Sequence, residues 1–98
     1  MSAQQPQGQV KLVVSDQQSL GTYANFVSIV HNFAEFIMDF GRVVPGRDDV
    51  QVVSRVVMTP IHVKQLLRAL TENVAIYERN FGEIPEGPKP PAGPSRPM

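Results

Sequence analysis

Residues 50–82 read VQVVSRVVMTPIHVKQLLRALTENVAIYERNFG, and the reading of this stretch decides the fold. Val50 to Met58 is dominated by valine, a β-branched residue that suits a pleated, half-buried surface. At Thr59-Pro60 the pattern changes. Thr59 carries a hydroxyl able to cap the first exposed N–H groups of a helix, and Pro60 stands where a missing N–H costs nothing. Val63, Leu67, Leu70, Val74, Tyr77 and Phe81 then recur at alternating gaps of four and three, flanked by Leu66, Ala69 and Ile76. Lys64, Arg68, Thr71, Glu72, Ala75, Glu78 and Arg79 fall mainly on the other side. Gly82 followed by Pro85 is a stop signal. The spacing predicts a strand leading into one long amphipathic helix whose apolar half has to be buried.

Working outward, three earlier segments read as strands: Gln9 to Val14, Tyr23 to His31, and Glu35 to Val44. Their connections are Ser15 to Thr22, Asn32 to Ala34, and the turn cluster Pro45-Gly46-Arg47-Asp48-Asp49. Residues 24–41 admit two strands or one helix, because Phe26, Val30, Phe33, Ile37 and Phe40 also repeat at helical spacing, with Asn25, Ser28, Asn32, Glu35 and Asp39 opposite. Residues 22–41 contain no Leu, Lys, Arg or Gln, and Val27, Ile29, Val30, Phe36 and Ile37 favour strands. The expected class is α+β: an antiparallel sheet of three to four strands followed by one long C-terminal amphipathic helix. The expected organisation is a single domain over 10–84. It lies between a disordered Gln-rich tail, 1–9, and a disordered Pro-rich tail, 85–98, whose prolines favour extended polyproline II.

A hairpin of 35–44 with 50–58 that pairs Asp39 with Arg55 also sets Met38 opposite Val56, Phe36 opposite Met58 and Ile37 opposite Val57. One face then carries Phe36, Met38, Phe40, Val56 and Met58 and is expected to take the helix. The reverse face carries Ile37, Val53 and Val57, and the neighbouring strand is expected to add Val27 and Ile29. One helix covers one side of a sheet, so these five residues, Val27, Ile29, Ile37, Val53 and Val57, are the candidate interface, with Asp39 and Arg55 as an ion pair.

Composition narrows the function classes. The 98 residues include nine basic and nine acidic side chains, which leaves no net field to draw in nucleic acid or an anionic membrane. The 42% hydrophobic content fills a small core, and a small core leaves apolar surface that gains by finding a partner. With no cysteine there are no disulfides, thiolate nucleophiles or cysteine metal sites. Met1 to Gly8 has neither a basic segment nor an apolar one, and no run approaches the length of a membrane span, so the expected compartment is the cytoplasm.

Gly21-Thr22-Tyr23-Ala24-Asn25, His31, Glu35-Phe36, Asp39-Phe40, Pro45-Gly46, Ser54-Arg55, Thr59-Pro60, His62, Lys64, Leu66-Leu67, Leu70, Asn73, Tyr77-Glu78 and Gly82 together form a pattern. Through it, residues 21–84 resemble a family of small bacterial proteins grouped as a domain of unknown function. The resemblance implies a compact module with the same sheet and terminal helix, and it brings no established activity. The family usually carries Glu or Gln where this chain has Ile61, a departure that removes a carboxylate from the first helical turn.

The remaining candidates for chemistry are His31, Glu35 and Asp39, which could gather around the 32–34 turn to hold a divalent metal or move a proton. No second histidine stands at ligand spacing, and there is no nucleophile with a base and no phosphate-binding glycine loop. His62 falls in the first helical turn, where it is expected to be solvated. Arg42 and Arg47 flank the Pro45-Gly46 turn, but Asp48 and Asp49 cancel their charge. The sequence reading is therefore a non-catalytic homo-oligomeric interaction module, a dimer or larger, with no metal or cofactor. The alternative is a chaperone-like adaptor that holds a protein client on its open sheet face. The metal-dependent enzyme and the nucleic-acid binder rank below both. Pro88-Lys89-Pro90-Pro91 is either part of a solubilising tail or a ligand for an aromatic groove.

Overall fold

The computed structural model of the chain describes residues 10–87. Three strands, β1 (Phe26–His31), β2 (Phe36–Val43) and β3 (Val50–Met58), form an antiparallel sheet in the order β1-β2-β3, and one helix, α1 (Pro60–Phe81), follows. The fold is α+β. Residues 24–41 contain two strands, and the turn between them shows why. Asn32 Oδ1 accepts hydrogen bonds from the N–H groups of Ala34 and Glu35, both at 2.9 Å, and Asn32 N–H donates to the Glu35 carbonyl at 3.0 Å. The asparagine side chain thus stands in for a backbone acceptor and reverses the chain. Phe33, the centre of the alternative helical stripe, is fully exposed at the tip of that reversal.

The expected strand from Gln9 to Val14 is corrected: residues 10–14 hold no strand, and Gln9 lies outside the described residues. A strand exists by pairing, and residues 10–14 have no ladder partner among the described residues; Val10, Leu12, Val13 and Val14 are all exposed. The chain instead tightens through Ser15, whose Oγ accepts from the Gln18 N–H at 3.1 Å, into a short 3-10 turn over Gln18–Leu20. The expectations for 1–9 and for the proline segment from 88 onward lie outside the described residues.

β2 and β3 pair in the anticipated register, with Phe36 opposite Met58, Ile37 opposite Val57, Met38 opposite Val56 and Asp39 opposite Arg55. Their connection closes with Arg47 N–H donating to the Val44 carbonyl at 3.1 Å. Pro45 supplies the second position of this turn, and Gly46, at φ 89°, supplies the left-handed third, a type II arrangement that needs glycine there. Between Phe40 and Gly41 the register slips: Phe40 faces Ser54 and Gly41 faces Val52, so Val53 is an extra residue, a β-bulge. Gly41 is buried at this bulge, against β3.

Helix α1 begins at Pro60 and ends before Gly82, whose N–H still reaches the Glu78 carbonyl at 2.9 Å. The expected side-chain cap at Thr59 is absent. Its hydroxyl lies 3.0 Å from His62 Nδ1, a partner that draws it away from the backbone, and the first turn closes through Val63 N–H to the Thr59 carbonyl at 3.0 Å. Among the described residues no helix is long and apolar enough to cross a membrane.

The larger correction concerns burial. The helical stripe expected to be buried is open: Leu67, Leu70, Val74, Tyr77 and Phe81 are exposed, Val63 and Leu66 are half-buried, and no residue of α1 is buried. Among the described residues the one buried apolar side chain is Met38, at 3%. The strands contact one another along their lengths, and no comparable contact joins α1 to the sheet. A single residue, Thr59, separates β3 from α1, shorter than the usual two to six residues that let a helix fold back along a strand.

Candidate interaction surface

Cross-strand partners share a face, so the pairings assign every side chain to one side of the sheet. Val27 pairs with Phe40, Ile29 with Met38 and His31 with Phe36. This places Val27 and Ile29 on the face of Met38 and Val56, and not with Ile37 and Val57 as the sequence suggested. The physical reason is the short Asn32–Glu35 connection, which fixes the β1–β2 register and with it the parity of every residue on β1. Ile37 and Val57 do face each other, and Val53 sits at the bulge. The structure therefore divides the five candidate residues: Val27 and Ile29 on one face, Ile37 and Val57 on the other.

The Met38 face is apolar, with Phe36, Phe40 and Met58 half-buried around its centre and Val27, Ile29 and Val56 exposed at its margins. His31 lies flat against Phe36, ring centroids 4.9 Å apart. The reverse face carries an ion pair: Arg55 Nε and Nη2 donate to Asp39 Oδ1 and Oδ2 at 2.7 and 2.8 Å. Asp39 is only 17% exposed while Arg55 is 64% exposed, so the guanidinium lies over the carboxylate like a lid. The hydrogen bonds from Arg55, and secondarily its charge, hold the Asp39 carboxyl below the usual range against the opposing effect of burial. The same bonds raise Arg55. At the hairpin end, Arg47 Nε and Nη2 donate to the two oxygens of Asp49 at 2.9 and 3.0 Å, and this lowers the Asp49 carboxyl.

His31 and Asp39 stand on opposite faces of the sheet, so the acid–base cluster considered around the 32–34 turn is not assembled. Among the described residues no group of His, Cys, Asp or Glu is arranged to hold a metal ion.

Two positions carry more than the sequence reading gave them. Asn25 acts as an extra rung for the sheet: its Oδ1 accepts from Val43 N–H at 2.8 Å, its Nδ2 donates to the Val43 carbonyl at 3.4 Å, and its own N–H donates to the Gly41 carbonyl at 2.9 Å. Arg42 lies over the Tyr23 ring, 5.6 Å from its centroid. The 4-3 spacing of Val63, Leu67, Leu70, Val74, Tyr77 and Phe81 locates the apolar stripe of α1, and the same spacing suits a helix packed on its own sheet as well as one packed on a second helix.

No curated protein and no solved structure matches the chain. Residues 1–86 match the family described as "Protein of unknown function (DUF3467)", a span that takes in the N-terminal stretch as well as the sheet and helix. With most of its length inside that match, the chain belongs to this family of proteins of unknown function.

Proposed function

We propose that the protein is a non-catalytic assembly module that acts as a homo-oligomer, in its simplest form a dimer. The observation that carries this reading is the burial pattern: one apolar side chain, Met38, is buried among the described residues, while the helix leaves Leu67, Leu70, Val74, Tyr77 and Phe81 exposed. Contiguous apolar surface of this kind has a free energy of burial of about 25 cal/mol per Å² waiting for a partner. A second copy is always available and carries the same surface. The separation of His31 from Asp39 also supports an assembly role over acid–base chemistry.

The test is size-exclusion chromatography with light scattering over a wide concentration range. The expected mass is that of two or more chains, and a single-chain mass at the highest concentration refutes the proposal. A second reading, an adaptor for a protein client, is favoured by the outer edges of β1 and β3, which pair with no other strand among the described residues. Such an edge accepts an extended segment by backbone hydrogen bonding. An adaptor elutes as one chain and gains mass only when its client is added.

A further inference from the structure

We infer that two copies meet through α1 in an antiparallel helix pair about a two-fold axis; this rests on the assembly reading above and says which surface does the work. The stripe Val63, Leu67, Leu70, Val74, Tyr77 and Phe81 is symmetric about position 72. Laid antiparallel on a second copy, Leu70 meets Val74, Leu67 meets Tyr77, and Val63 meets Phe81, each contact made twice, so every layer of the seam is apolar.

Charge selects this direction over the parallel one. Lys64 and Glu78 each follow a stripe residue directly and are four turns apart, so they flank the seam on the same side. In an antiparallel pair that flank meets its own copy reversed, which brings Lys64 of one chain beside Glu78 of the other at both ends. In a parallel pair it meets the opposite flank, where Leu66, Asn73 and Asn80 offer no charge to Lys64 or Glu78. Glu78 Oε2 already accepts from the Ile84 N–H at 2.9 Å, which anchors the carboxylate beside the seam.

Area agrees. Leu67 and Phe81 are 62% and 74% exposed, and the tilted Tyr77–Phe81 ring pair, 5.0 Å between centroids, forms a broad patch at one end of the stripe. Together the open stripe residues present roughly 600 Å² per copy, so about 1,200 Å², the lower bound of a stable interface, is the most that the stripe alone can bury in the pair.

The chain has no cysteine, so engineered thiols report contacts without background. In the double variant Leu67→Cys/Tyr77→Cys, the two thiols of one helix stand about 15 Å apart and cannot join within a chain, whereas the antiparallel pair brings each to its counterpart on the other copy. Oxidation is expected to give covalent dimers from the double variant and none from Leu67→Cys alone. In the same dimer, Lys64→Glu is expected to weaken association about 10-fold, and Lys64→Glu/Glu78→Lys to restore most of it. Cross-linking of Leu67→Cys alone means a parallel pair and overturns the inference. Light scattering that gives a dimer while neither variant cross-links, or a double charge variant as weak as Lys64→Glu, means that another surface joins the copies and also overturns it. In these cases the assembly reading stands. A single-chain mass for the natural protein removes both.

Discussion

Replacing Gly41 with alanine tests the packing of the bulge that shapes the sheet. A Cβ built on Gly41 would lie 2.6 Å from Val50 Cγ1 and 3.0 Å from the Gln51 carbonyl oxygen. Carbon atoms in contact prefer about 3.5–4.0 Å, so both neighbours have to move. Neither does so freely: Val50 is β-branched, with a restricted χ1, and Gln51 belongs to the backbone of β3. Crowding of this kind costs about 1–3 kcal/mol. Against it stands the loss of chain freedom in the unfolded state, which favours alanine over glycine by about 0.4–1 kcal/mol. The expected net loss is about 1–2 kcal/mol, read as a lower urea midpoint at unchanged slope, with the circular dichroism of the sheet followed at one fixed protein concentration. Adding Val50→Ala removes the Cγ1 obstacle and leaves the Gln51 oxygen in place. The double variant should therefore lose less than the two singles together, by about 1 kcal/mol. A Gly41→Ala protein as stable as the natural one, or strictly additive losses, refutes the close-approach argument.

Three further outcomes follow from particular contacts. Asn25→Ala should cost about 1–2 kcal/mol by removing the side-chain bonds to Val43, and the Val43 amide should lose protection in hydrogen exchange; unchanged protection would disprove the extra-rung role. Because Arg55 lowers the Asp39 carboxyl in the folded state, the stabilisation is present above the ordinary unfolded value near 3.8 and is lost as pH falls through the lowered folded value. Asp39→Asn should flatten the acid limb of a urea-unfolding series between pH 6 and pH 2, and an identical limb in the variant would rule the pair out as its source. Ile61→Glu should raise stability by about 0.3–1 kcal/mol, since α1 has no acidic residue in its first turn and Ile61 is exposed; a lower melting temperature would contradict the helix-dipole reasoning.

The local chemistry of this chain was easy to read and its long-range packing was not. The β2–β3 register followed from pairing two hydrophobic periods so that Asp39 met Arg55, and the helix bounds followed from Pro60 and Gly82, all signals within a few residues of their effect. The parity of β1 failed because it depends on a turn whose length is set by a side chain, Asn32, and a one-residue change there moves Val27 and Ile29 across the sheet. Gln9 to Val14 looked like a strand because composition records the capacity to pair, and no partner edge receives it in residues 10–14. The stripe on α1 was correctly located and wrongly assigned. Periodicity reports that a face is apolar and is silent on whether the covering surface comes from the same chain.

The outer edge of β3 carries a further consequence. Its nine residues, Val50–Met58, contain no proline and one charge, that of Arg55, and their outward N–H and C=O groups, which pair with no other strand among the described residues, form the kind of edge that accepts a further strand. Arg55 is the one charged side chain along that strand, and Asp39 holds its guanidinium over the sheet, so the bond that braces two strands also fixes where the single cationic group of an otherwise uncharged segment sits.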